Sequence, residues 1–248
     1  MNSARDRVFA ALGQHARSDV AAAEVQELRA RLKRADEQSR MDPQAEDDLV
    51  ALFRDRAETA GAVVIRADTP GDVPVLLETY LRSAAAIVLS EDGLIRASNL
   101  EQLLRGSGDD SRVRFMTDAD LQRETDDWKH AYASADLGIT AGVAGIAESG
   151  AVVIAASENE SRSVSLLPHT HVVLLREHDI VPSLPAAATV LRRLVQDGGS
   201  SAVTLVDGPS KTADIEKVLV TGVHGPRAFV IVLIGDARDT ASPGTRPQ

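Results

Sequence analysis

Two short segments concentrate groups capable of chemistry: GPSKTADIE, residues 208–216, and GVHGP, residues 222–226. The first follows the apolar run 202–206 and leads into a helical pattern over 215–220. The second opens directly onto the apolar run 228–234. A strand, a Gly-Pro turn, a hydroxyl-rich helix start and a histidine between glycines would bring backbone amides and small polar side chains together at strand ends. Gly208, Ser210, Lys211, Thr212 and Asp214 are therefore candidate substrate-binding residues, and His224 is a candidate catalytic residue for moving protons. The competing reading is structural. Gly208 and Pro209 form only a turn, Ser210 or Thr212 caps a helix with Asp214 and Glu216 in its first turn, and His224 is a buried, hydrogen-bonded histidine.

Two further loops carry polar groups. In ADLGITAGVAGIAESGAVVIAA, residues 135–156, Gly142 and Gly145 would let backbone approach a ligand. Glu148 offers a carboxylate for a hydroxyl, an amine or a proton, which makes it a second candidate catalytic residue; alternatively it points to solvent from a hairpin turn. In ENESRSVSLLPHTHVVLL, residues 158–175, Asn159 and Arg162 are directional polar groups just before a core strand. Arg162 suits two-pronged recognition of a carboxylate or phosphate. His169 and His171 would share one side of a strand, a spacing that can supply two metal ligands, but no third ligand matches, so no metal is expected. GPSKT is neither the G-x-S-x-G elbow of hydrolases nor a complete phosphate-binding loop, and no G-x-G-x-x-G follows a strand. No cofactor is expected.

Elements able to position these loops are legible along the chain. Helices are expected at 3–14, 45–60, 73–81, 99–104, 118–129 and 183–195, with a helical turn at 215–220. The helix 45–60 carries Leu49, Leu52 and Phe53 as its core stripe. Strands are expected at 62–65, 86–89, 113–116, 137–140, 151–155, 171–175, 202–206 and 229–234. Strands alternating with amphipathic helices imply an α/β fold with a mostly parallel central sheet flanked by helices. Residues 1–44 read as a charged, Ala-rich helical arm, 45–236 as the α/β domain and 237–248 as a disordered tail.

Composition narrows the function classes. With 44% apolar but only 3% aromatic residues, the core must rest on aliphatic side chains, and platforms for stacking nucleic-acid bases are lacking. The net charge of −10 disfavours polyanionic partners, so nucleic acid is not an expected partner. The chain has no cysteine, which excludes disulfides, thiol catalysis and an iron–sulfur cluster on its own thiolates. With no long apolar run and no signal-like start, the expected location is cytoplasmic, without a membrane span.

GIAESGAVVI, SLLPHTHVVLL with Asn159 and Arg162 upstream, GPSKTADIE and GVHGP stand in the order and spacing of the lactate utilization protein C family, the LUD domain. The chain resembles that family over residues 45–236. The resemblance implies a fold similar to the NagB/ribose-5-phosphate isomerase/CoA-transferase group. It also implies a part in oxidising L-lactate to pyruvate, beside two partner proteins that carry iron–sulfur clusters. A larger family member fuses this domain to a cysteine-rich segment, which is not found here; that fits a short, separate subunit without its own redox centre. On this reading Arg162 holds the carboxylate of a small anionic metabolite, Glu148 and His224 handle protons or hydroxyls, and the 208–212 loop supplies donors. Two alternatives remain open: a free-standing enzyme on a small phosphorylated, CoA or folate-type substrate, and a non-catalytic scaffold.

Overall fold

The computed structural model describes residues 46–106, 113–115, 132–156, 162–196, 202–213, 219–222 and 224–235. The arm 1–44, the helix expected at 118–129, Asn159, Asp214 and the tail 237–248 lie outside the described residues.

The chain begins its described part with α1 (Glu46–Ala60) and β1 (Val63–Ala67). There follow a 3-10 turn (Pro70–Asp72), α2 (Val73–Leu76), α3 (Glu78–Ser83), β2 (Ile87–Leu89), α4 (Gly93–Ala97), α5 (Leu100–Gly106) and β3 (Val113–Phe115). The second half contains β4 (Leu137–Ala141), β5 (Ala144–Ile146), β6 (Ala151–Ala156), α6 (Arg162–Leu166), β7 (Thr170–Arg176), β8 (Ile180–Val181) and α7 (Leu184–Gln196). It continues with β9 (Ala202–Val206), β10 (Lys211–Ala213), β11 (Leu219–Thr221) and β12 (Ala228–Ile234).

Six strands form one wholly parallel sheet in the order β1-β12-β7-β4-β2-β3. Both faces are covered, which is why its strands read as unbroken aliphatic runs. On one face, Ile87, Leu89, Ile139, Val172, Leu174, Val230 and Val232 pack with Val73, Leu77 and Leu81 of α2–α3 and with Leu94, Ile95, Leu100 and Leu104 of α4–α5. On the other, Val173, Leu175, Phe229, Ile231 and Leu233 pack with Phe53 and Ala57 of α1 and Val152 and Ile154 of β6. The expected core stripe of α1 shifts accordingly. Phe53 and Ala57, four residues apart, are buried, whereas Leu52 is 37% exposed because it lies off that line.

Three expectations are corrected. The strands at 151–155 and 202–206 are not in the parallel sheet; β6 and β9 pair antiparallel in a second, four-stranded sheet of order β8-β5-β6-β9. The glycine-rich loop after β4 contains β5, antiparallel to β6. Gly145 permits this, since a Cβ there would meet Leu175, Phe53 and Ile180 at 2.8–3.1 Å. The hydroxyl-rich helix start at 210–212 is instead strand: Lys211–Ala213 pairs antiparallel with Leu219–Thr221, so 219–220 are not helical either. The β-branched residues of KTA and LVT suit a ladder better than a helix.

Candidate functional site

The opening pair of segments does come together. Ser210 N–H donates to Pro226 O at 2.9 Å, and Gly222 N–H donates to Ser210 O at 2.9 Å. Arg227, the next residue, donates its N–H to His169 O at 2.8 Å. Three distant stretches (169, 208–211 and 222–227) are thus joined by backbone bonds. The 222–227 loop and His169 stand where β12 and β7 begin, so the cluster occupies the opening edge of the parallel sheet. Open α/β sheets usually bind ligands at the opposite, carboxyl edge.

The last turns of α1 anchor this cluster. Gly61 ends the helix with φ +102, a left-handed conformation that glycine adopts without cost. Lys211 Nζ reaches Ala60 O at 2.5 Å, so its ammonium satisfies a terminal carbonyl and meets the negative end of the helix. Gly208, with φ +79, lies so close that a Cβ would stand 2.7 Å from Ala60 O. Lys211, expected as a substrate ligand, is thereby committed in part to the scaffold, while Ser210 sits half-buried between the two loops. Thr212 contributes its backbone to the β10–β11 ladder.

Glu148 belongs to the turn before β6. Val152, next to the start of β6, pairs with Val206 at the end of β9, and Gly150 and Gly208 both pack on α1, at Ala57 and Ala60. The Glu148 side chain, however, is exposed and accepts from Leu184 N–H at 2.8 Å. That N–H is one of the donors a helix start leaves unpaired, so Glu148 caps α7 from a distance of 36 residues. Arg162 opens α6, beyond the far end of β6. Arg162 is exposed, and α6 packs on β4 and β7, close enough that a Cβ on Gly138 would overlap Val164 O. His224 is exposed rather than buried. Of the expected trio, then, His224 belongs to the segments joined by backbone bonds, Glu148 to the turn that caps α7, and Arg162 to the first turn of α6.

His169 and His171 diverge in environment. His169 is exposed at the edge; His171, one layer in, is fully buried. Its Nε2 lies 2.9 Å from Thr140 Oγ1, and its ring stacks on Phe229 with centroids 5.2 Å apart. Nδ1 has no hydrogen-bond partner among the described residues. Burial lowers its pKa from 6.5 to about 3. Because the folded pKa lies below the unfolded one, the unfolded chain binds the extra proton, and stability falls as pH drops through 6.5 towards 3. Between pH 7 and pH 4.5 this group alone is expected to remove about 2–3 kcal/mol. Urea melts at both pH values should show a smaller acid loss for His171→Gln; equal losses would mean the imidazole is not held neutral.

Arg227, which directly follows the GVHGP motif, is exposed and lies outside the expected site residues. The exposed cations Lys211 and Arg227 belong to the joined segments, together with the exposed His169 and His224, on a chain whose net charge is −10. Among the described residues no group of three His, Cys, Asp or Glu is placed to hold a metal ion. No described helix is long and apolar enough to cross a membrane. A separate cleft of about 680 Å³ lies between α2–α3 and α4–α5, over Leu81 and Leu104, and none of the expected site residues lines it.

These features define a mixed α/β protein with a doubly covered parallel sheet, a small second sheet and a cation-bearing loop cluster at the sheet's opening edge. The chain belongs to the LUD domain family, whose model matches residues 50–234. It is 31% identical over 194 residues to Lactate utilization protein C of Bacillus velezensis, covering 77% of this chain and 80% of that one. To the protein of the same name in Bacillus subtilis it is 32% identical over 193 residues, with the same coverage. Among solved structures, a DUF162 family protein from Deinococcus radiodurans matches with a TM-score of 0.51, over 78% of this chain and 100% of that chain. At 18% identity that likeness speaks for the fold.

Proposed function

We propose that this protein is a component of lactate utilization without a redox centre of its own, and that the joined loops hold a small carboxylate such as lactate or pyruvate. The observation that carries the reading is the kinship with Lactate utilization protein C, beside a LUD domain match over residues 50–234 that includes the segments of the loop cluster. The local chemistry supports it. Cations gathered on an acidic chain attract a small anion while the surrounding field repels polyanions. The Ser210 hydroxyl and the Gly208 N–H supply donors, His224 moves a proton or binds a hydroxyl, and Arg162 approaches from α6. Asn159, Thr212 and Asp214 complete the proposed set, with Glu148 in the turn before β6.

Having no cysteine, the chain cannot pass electrons through a cluster of its own. Oxidation of the bound metabolite therefore calls for cysteine-rich iron–sulfur partners, with which this subunit would assemble in the cytoplasm. Calorimetric titration with lactate and pyruvate is the test, made on the chain alone and on the complex with which it co-purifies. Binding of either, weakened by His224→Ala, is the expected result. If neither metabolite binds in either preparation, the carboxylate reading is wrong. If purification yields no cysteine-rich companion, the partner reading is wrong.

A further inference from the structure

We infer that Arg227 is the principal carboxylate-holding residue of this site, and that its ligand is a monocarboxylate with a hydroxyl or keto oxygen on the adjacent carbon. The inference rests on the proposed reading of the loop cluster as a carboxylate site.

Three observations lead to Arg227. First, it stands where the joined segments meet: its own N–H is bonded to His169 O, and the preceding Pro226 O is bonded to Ser210 N. Its backbone is thereby fixed from two sides. Second, its stem is laid down on bare backbone. A Cβ on Gly222 would stand 2.1 Å from Arg227 Cγ and 3.0 Å from Cδ and Nε. Gly222, at φ +81, is thus both the turn residue and the surface along which the arginine runs. Third, the guanidinium is exposed and has no carboxylate partner among the described residues. Arg54, Arg66 and Arg82 are each engaged by acidic side chains. A positioned guanidinium that no described acidic side chain engages, at a polar loop cluster, is available to an external anion.

The chemistry sets the ligand class. The planar fork of arginine matches the two oxygens of a carboxylate, and a stem already ordered loses less entropy on binding. His169, His224 and Ser210 belong to the same three segments and offer donors and acceptors for one further oxygen nearby. Lys211, the other cation of these three segments, is drawn to the end of α1, so a second anionic group finds no free ammonium there. Dicarboxylates and phosphorylated acids should bind no better than pyruvate.

The experiment titrates lactate, pyruvate, acetate and malate into wild type, Arg227→Gln, Arg227→Lys, Gly222→Ala and the distant control Arg192→Gln. Pyruvate affinity should fall about 10- to 100-fold in Arg227→Gln, less in Arg227→Lys, and remain at the wild-type value in Arg192→Gln. Gly222→Ala keeps the charge but displaces the stem, and should also weaken binding. Thermal unfolding of Arg227→Gln should match wild type, since the side chain is exposed; should it fail to fold, Arg227→Lys decides the matter. Undiminished pyruvate binding by Arg227→Gln would refute the role of Arg227 and leave the carboxylate site standing. Tighter binding of malate would refute the ligand class. Failure of the wild type to bind any of the four would overturn the site reading, and this inference with it.

Discussion

Alanine in place of Gly150 should destabilise the protein by about 3 kcal/mol, seen as a fall in Tm of roughly 6–12 °C. Two costs add at this position. Its φ of +78 lies in the left-handed region, where a Cβ crowds the following carbonyl. The new methyl would also stand 2.2 Å from Ala57 N and 2.6 Å from Ala57 Cα and Arg56 C. All three are backbone atoms of a helix, so no side chain can swing aside, and α1 must lift from the turn. The effect reaches the site, because Gly208 and Lys211 hold to the next turn of the same helix. Thermal unfolding of Gly150→Ala checks the claim. A Tm within 2 °C of wild type would mean that α1 does not press on this turn.

Phe53→Ala should cost about 3–5 kcal/mol. Its ring has no exposure and joins α1 to Val152 and Ile154 of the second sheet and to Val173, Ile231 and Leu233 of the first. It also covers Gly145, whose notional Cβ would lie 3.0 Å from the ring. Truncation leaves a cavity bounded by two sheets, neither of which can move in without breaking its own ladder. Chemical denaturation should show the loss, with Phe53→Leu recovering about half of it. A cost below about 1 kcal/mol would show that the interior collapses around the gap and that α1 is held mainly by its other contacts. Since α1 anchors the 208–211 loop, the same substitution should weaken pyruvate binding more than its distance from the loop suggests.

Much of the scaffold was readable in advance because burial on both faces forces strands into aliphatic runs. The segments near 63–67, 87–89, 137–141, 170–176 and 228–234 announce themselves this way. The same signal misassigned β6 and β9, since a strand buried in a second sheet has the same composition as one in the first. It also missed β5 and α6, which are too short for a period to emerge. The hairpin at Lys211–Ala213 and Leu219–Thr221 was mistaken for a helix because a serine followed by acidic residues resembles a helix start. For the site, polar residue types pointed to loops, and the structure adds contacts that no local pattern announces: Glu148 accepts from the first N–H of α7, and Lys211 donates to Ala60 O at the end of α1.

The sequence by itself determined that this is an aliphatic-cored α/β chain, acidic overall, with no thiol chemistry and with polar loops between its late strands. Those properties follow from residue types and their local spacing. Only the tertiary structure decided that residues 169, 208–211 and 222–227 share one edge, that Glu148 caps α7, and that Arg227 stands at the meeting point. Such arrangements depend on strand order and register, which are set by how whole faces bury against one another. No single segment carries that information.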